Sequence, residues 1–174
     1  IHTEMKNLKK SIEYFSKVIE IDPHDKRAYS NLAHVKAEMN KYDEALKEIN
    51  KSINIDGNNL NYYLDRGNFY KKFGQFELSI SDFDKVILET KKNGNQKLNK
   101  EALYNKSLLK LLLGEFEEGW KLYENRFYID QNKNFEKFKK EKIFSKISFE
   151  KIPFPLNIKD FRNSNLLVIC EQGI

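Results

Sequence analysis

Few residues in this chain have the chemistry of a catalytic centre, and those few do not meet at a usable spacing. His2, His24 and His34 each lack a partner at ligand spacing, so neither a metal nor another cofactor is expected. Cys170 closes the apolar run Leu166–Cys170 and reads as an inert core thiol rather than a nucleophile. No Ser-His-Asp order, phosphate-binding glycine loop or metal-ligand cluster is present. Glu171, Gln172 and Gly173 are the residues that could belong to a catalytic site, and they cannot make one alone. Glu124 and Arg126 fit an ion pair or a solvated helix surface better than chemistry, since exposed pairs contribute little.

The elements that would position such residues must come from the rest of the chain. At 174 residues it has room for one domain or one and a half. A 40% hydrophobic content supports a packed core, and 33% charged residues with little Gly or Pro suit long, solvated helices. The formal charge is +5, but lysines and glutamates are interspersed, which argues against a nucleic-acid partner. The single cysteine excludes an intrachain disulfide and fits a reducing, cytoplasmic setting. No apolar run reaches membrane-spanning length and no signal peptide opens the chain, so no membrane association is expected. An initial Ile1 in place of Met suggests that the natural N-terminus lies upstream.

Internal repetition organises the first three quarters of the chain. Tyr29, Ala33, Asn40, Tyr42, Ala45 and Ile49 recur 34 residues later as Tyr63, Gly67, Gly74, Phe76, Ser79 and Phe83. The frame read backwards reaches Leu8, Ser11, Phe15 and Val18. Read forwards past six inserted residues (94–99), it recovers Leu103, Ser107, Gly114, Phe116, Gly119 and Tyr123. Each unit then holds two helices whose small residues (Ala33 with Ala45, Gly67 with Ser79, Ser107 with Gly119) allow close approach. An aromatic at 42, 76 or 116 fills the gap beside the turn. Asn40, Gly74 and Gly114 suit the left-handed turn between them. Helices are expected at about 4–20, 26–39, 42–54, 60–73, 76–91, 100–113 and 116–128.

These residues resemble the tetratricopeptide repeat, which implies an all-α, right-handed superhelical solenoid with a concave groove for a protein or peptide partner. The resemblance covers residues 1–130, as a partial unit at 1–25 and units at 26–59, 60–93 and 100–133. Arg66 and Lys106 depart from it, standing where leucine is usual. Repeats that grip a C-terminal carboxylate use Lys and Asn where this chain has Ser30 and His34, so that subtype is disfavoured. Superhelices resembling the O-linked N-acetylglucosamine transferase arm hold extended peptides by asparagine amides. That resemblance places groove residues at Asn31, His34, Asp65, Asn68 and Asn105, with Asp65 lacking the amide donor.

Glycine inside a helix costs about 1 kcal/mol against alanine, so the pair Gly119-Trp120 needs a reason beyond the general pattern. With Tyr123, Glu124 and Arg126 it looks like the last repeat of bacterial proteins that continue into a glycosyltransferase-like domain. In that group a linker leads to a buried strand ending in Glu-Gln-Gly, matched here by Leu166–Gly173. The resemblance implies a linker or strap at 131–164 and, at 165–174, the first strand of a truncated Rossmann-like domain. Glu171, Gln172 and Gly173 become donor-loop candidates, with a nucleotide-sugar bound only by the full-length parent. Trp120, Tyr123 and Arg126 become residues that dock the repeats on the next domain. Trp120 also fits an ordinary core or interface aromatic, and the lysine-rich stretch within 129–164 fits a linker helix or, less well, a basic surface patch. Two functions of different class remain: a repeat arm that recruits and orients an acceptor for such an enzyme, and a free-standing peptide-binding adaptor.

Overall fold

The computed structural model describes residues 2–125, and among them all regular structure is helical. Seven helices run α1 (His2–Ile21), α2 (Lys26–Glu38), α3 (Tyr42–Ile55), α4 (Leu60–Lys72), α5 (Phe76–Asn93), α6 (Gln96–Leu112) and α7 (Phe116–Tyr123). Each packs on its sequence neighbours, and α4 also touches α6, so the arrangement is a stacked solenoid. The expected strand at 165–174 lies outside the described residues.

The two kinds of helix start differently, and the sequence shows why. First helices of a unit begin at a side-chain cap. Asp25 accepts from the Arg27 and Ala28 amides, Asn59 from Asn61, and Asn95 from Leu98. Second helices have no side-chain cap and start directly from a tight turn. Its apex is Asn40, Gly74 or Gly114, at φ of 58°, 75° and 80°. The residue after each apex donates five residues back, Lys41 to Lys36, Gln75 to Tyr70 and Glu115 to Lys110, all at 2.8–2.9 Å. Acidic residues in the first turns of α3, α5 and α7 complement the helix dipole.

The core is a continuous strip shared between units. Ala33, Ala45, Ile49, Phe83, Val86, Ala102 and Leu109 are sealed from solvent within it. The small-residue register holds in the middle unit, where Ser79 Oγ donates to the Gly67 carbonyl at 2.6 Å. In the last unit a Cβ on Gly119 would sit 2.7 Å from Leu111 Cδ2 and 3.0 Å from the Leu111 backbone nitrogen, so Gly119 seats closely against Leu111. Glycine in place of the serine of the middle unit removes the hydroxyl that would cross between the helices. Ser107 turns its own hydroxyl back to the Tyr104 carbonyl in the same helix.

Two expectations change in part. Of the aromatics expected beside the turn, Phe76 packs against the core, whereas Tyr42, hydrogen-bonded to the turn residue Asn40, and Phe116 are more open. Tyr42 also lays its ring on Phe73 of the next unit, 4.0 Å between centroids. The inserted segment runs into α6, which starts at Gln96 rather than near residue 100. Gly94 ends α5 in a left-handed turn, Asn95 caps α6, and residues 96–99 add one turn to that helix. Asn99 fixes the added turn by donating to Thr90 Oγ1 at 2.8 Å and the Ile87 carbonyl at 3.1 Å. At the other end α7 closes at Tyr123, five residues before the expected limit, with a short tight turn following.

Glycine is therefore required at two helix-interior sites. A Cβ on Gly67 would lie 2.7 Å from Phe83 Cε1, and Phe83 is fully enclosed. Gly67→Ala gains about 1 kcal/mol of helix propensity but should lose more to overpacking, about 1–3 kcal/mol. Gly119→Leu should be destabilised in the same way. Urea unfolding should show both midpoints below wild type, and a midpoint at or above wild type would mean that the helices are not in contact there.

Candidate functional site

Because each second helix packs behind its own first helix, α2, α4 and α6 come side by side and form one polar face. Side-chain links cross it between neighbouring first helices. His34 Nε2 on α2 lies 3.2 Å from Asp65 Oδ2 on α4, and the imidazole stands edge-on to Phe69 at 5.0 Å. Lys72 Nζ donates to the Ala37 carbonyl at 3.0 Å, capping the end of α2. Lys71 Nζ donates to Asn105 Oδ1 on α6 at 2.7 Å.

The five groove residues expected from the sequence fall into two groups. His34, Asp65 and Asn105 are engaged: the first two with each other, and Asn105 with Lys71 through its oxygen and with the Glu101 carbonyl through its nitrogen. Asn31 is exposed and Asn68 half-buried, and neither amide is used within the described residues. They lie on neighbouring first helices, on either side of the His34–Asp65 pair in the frame. Each offers one acceptor and two N–H donors, enough to meet both polar groups of an extended backbone.

The hydrogen bond with Asp65 raises the pKa of His34 against the opposing effect of burial, and the charge of Glu38 adds to the rise. A histidine stabilised in its charged form contributes stability below its unfolded pKa, and that contribution fades as the pH rises through the higher folded value.

Behind this face the pattern departures explain themselves. Asp82 on α5 is buried, and Arg66 grips it through two bonds of 2.7 and 2.8 Å while a third reaches Asn50 on α3 at 2.7 Å. Asp82 occupies the frame position of Glu48, which is also buried and held at 2.9 Å by both Lys36 and Lys51. Burial works to raise the Glu48 pKa, but the two ammonium groups outweigh it and the net shift is downward. Lys106 likewise reaches Asp84 across units at 2.7 Å. Arg66 and Lys106 are thus ties between helices rather than weak points.

The docking candidates are only partly in view. Trp120 is 45% exposed and meets the Tyr123 ring edge-on at 5.5 Å. Its frame equivalents, Leu46 and Ile80, are partly buried against the core. Leu112, Leu113 and Phe116 are exposed at the same end. Arg126, Glu171, Gln172 and Gly173 lie outside the described residues. Among the described residues no group of His, Cys, Asp and Glu is arranged to hold a metal, and no helix is long and apolar enough to cross a membrane. Lys71 was not anticipated, although a signal existed: it stands where the flanking units carry Ala37 and Leu111.

Comparison with known proteins agrees with this geometry. Family models of the tetratricopeptide repeat match residues 2–65 and 60–93. Among solved structures, the crystal structure of MamA is similar with a TM-score of 0.59 at 18% identity, over 80% of this chain and 74% of that one. At that identity the similarity speaks for the fold alone. No curated protein sequence matches the chain.

Two outcomes check the electrostatic reading. Arg66→Leu should leave Asp82 buried without its partner and cost about 3 kcal/mol or more in chemical unfolding, while Arg66→Leu with Asp82→Leu should recover most of it. If the single change costs nothing, the pair is not desolvated. For His34, NMR titration should give a value above the ordinary histidine pKa of about 6.5. The stability advantage over His34→Gln should shrink as the pH climbs past that point, and a pH-independent difference would contradict the Asp65 link.

Proposed function

Residues 2–93 are tetratricopeptide repeats, and from that premise we propose that the face of α2, α4 and α6 captures a partner polypeptide in extended form. Repeats of this family mediate protein–protein association, so the question here is which groups do the holding. The observation that carries the reading is the pair of uncommitted amides, Asn31 and Asn68, on adjacent first helices. They bind backbone, which gives affinity with little sequence preference. The His34–Asp65 link between them keeps the two helices in register, so little ordering cost falls on binding.

The same proposal extends to the whole chain as the repeat arm of a glycosyltransferase-like protein that recruits and orients an acceptor. Its support is the sequence pattern Gly119-Trp120 with Tyr123, Glu124 and Arg126, and the apolar run that leads to Glu171, Gln172 and Gly173. The exposed Trp120 suits docking against a further element, with Tyr123 behind it. A fixed arm matters to such an enzyme, because a small misplacement of the acceptor costs rate steeply. A nucleotide-sugar would then bind the downstream domain and not the repeats. Sugar transfer by the natural full-length protein onto a captured peptide supports this extension, and peptide capture without any transfer leaves a pure adaptor.

Fluorescence anisotropy with labelled, uncharged nonapeptide pools tests the groove. Each net backbone hydrogen bond contributes about 1 kcal/mol, so Asn31→Ala with Asn68→Ala should weaken binding about tenfold or more at unchanged unfolding temperature. Binding equal to wild type would put the partner elsewhere.

A further inference from the structure

Among the described residues, other enclosed cations have carboxylates to face. Lys36 meets Glu44 and Glu48, Arg66 meets Asp82, Lys106 meets Asp84 and Glu118, and Lys110 meets Glu115 and Glu118. Lys71 differs. It is half-buried, its ammonium donates to the neutral Asn105 amide, and it lies 6.0 Å from the centroid of the Phe83 ring. Burial alone acts on its pKa and pulls it down, with no nearby carboxylate restoring it. Holding α4 to α6 does not call for such a group, since a glutamine amide would give the same bond without enclosing a charge. Two of the three ammonium protons are left for other acceptors. The frame makes the choice more pointed, because Ala37 and Leu111 show that an apolar residue serves this position in the flanking units.

We infer that the Lys71 ammonium, seated beside Asn105 between α4 and α6, receives a carboxylate of the bound polypeptide and so gives the groove a preference for acidic ligands. The inference rests on the proposed groove and adds to it the chemistry of the ligand selected. Backbone capture by Asn31 and Asn68 is indifferent to sequence, whereas a half-buried cation rewards one charge at one point along the peptide. Entry of the carboxylate replaces the hydration that burial has removed, which makes the contact stronger than the same pair in open water. The carboxylate belongs either to an Asp or Glu side chain or to a chain end.

The test uses labelled nonapeptides whose central residue is Asp, Asn or Lys and whose other positions are drawn from uncharged residues. Each pool is made with a free and with an amidated C-terminus. Wild type should bind the amidated Asp pool about tenfold or more tightly than the Asn pool, with the Lys pool weakest. A gain seen only with free termini assigns the site to a chain end instead. Lys71→Met should erase the preference and Lys71→Arg should keep most of it. Lys71→Gln keeps the link to Asn105 and should lose the preference equally, which separates charge from scaffolding if the methionine variant folds poorly. A preference that survives in Lys71→Met and Lys71→Gln, or its absence from wild type while the pools still bind, overturns this inference alone. Failure of every pool to bind overturns the groove reading and this inference with it.

Discussion

Everything on the polar face depends on how closely each second helix can lie behind its first. Gly67 against the enclosed Phe83 ring, and Gly119 against the Leu111 backbone, leave no space for a single added carbon. That contact draws α5 and α7 in behind α4 and α6, and α3 packs behind α2 with Ala33 and Ala45 both sealed from solvent. With the second helices tucked behind, the first helices of successive units become each other's neighbours. Only then can His34 reach Asp65, and Lys71 reach Asn105 across 34 positions of sequence.

Polar groups then decide what the packing leaves open. The core carries several buried or half-buried charges, yet Glu48 and Asp82 are met by cations from the first helices. Removing one member of such a pair is far more costly than having built it, because the survivor stays enclosed. These ties therefore fix how the two helices of a unit pair more than they add to stability. Lys71 breaks the rule by facing an amide, and its lack of a carboxylate gives the face its chemical asymmetry: paired charge towards α2, available positive charge towards α6.

Much of the fold was legible in the sequence because the repeat frame fixes both periodicity and turn chemistry. Asn40, Gly74 and Gly114 adopt the left-handed turn that their residue types suggest, and six of seven helices begin within two residues of expectation. The exception is α6, where the last four of the six inserted residues extend the helix once Gly94 and Asn95 supply an end and a cap. The site was less legible. Asn31 and Asn68 stand free as a peptide ladder requires, whereas Asn105 is already committed and Asp65 is paired. Those pairings join residues from different units, and a frame that aligns units does not say which side chains meet across them. The Arg66 departure likewise finds its partners only in three dimensions, since Asp82 on α5 and Asn50 on α3 come from other helices.

The central claim is that one face, made by the first helices, holds the partner. Amide chemical-shift mapping of the isotopically labelled protein during titration with an acidic, extended peptide tests it most directly. The account predicts that shifts concentrate at Asn31, His34, Asn68, Lys71 and Asn105, with the indole N–H of Trp120 and the amides of Leu113 and Phe116 unmoved. Shifts confined to Trp120, Phe116 and Leu113, with α2 and α4 silent, would contradict it and place recognition at the end of the solenoid instead.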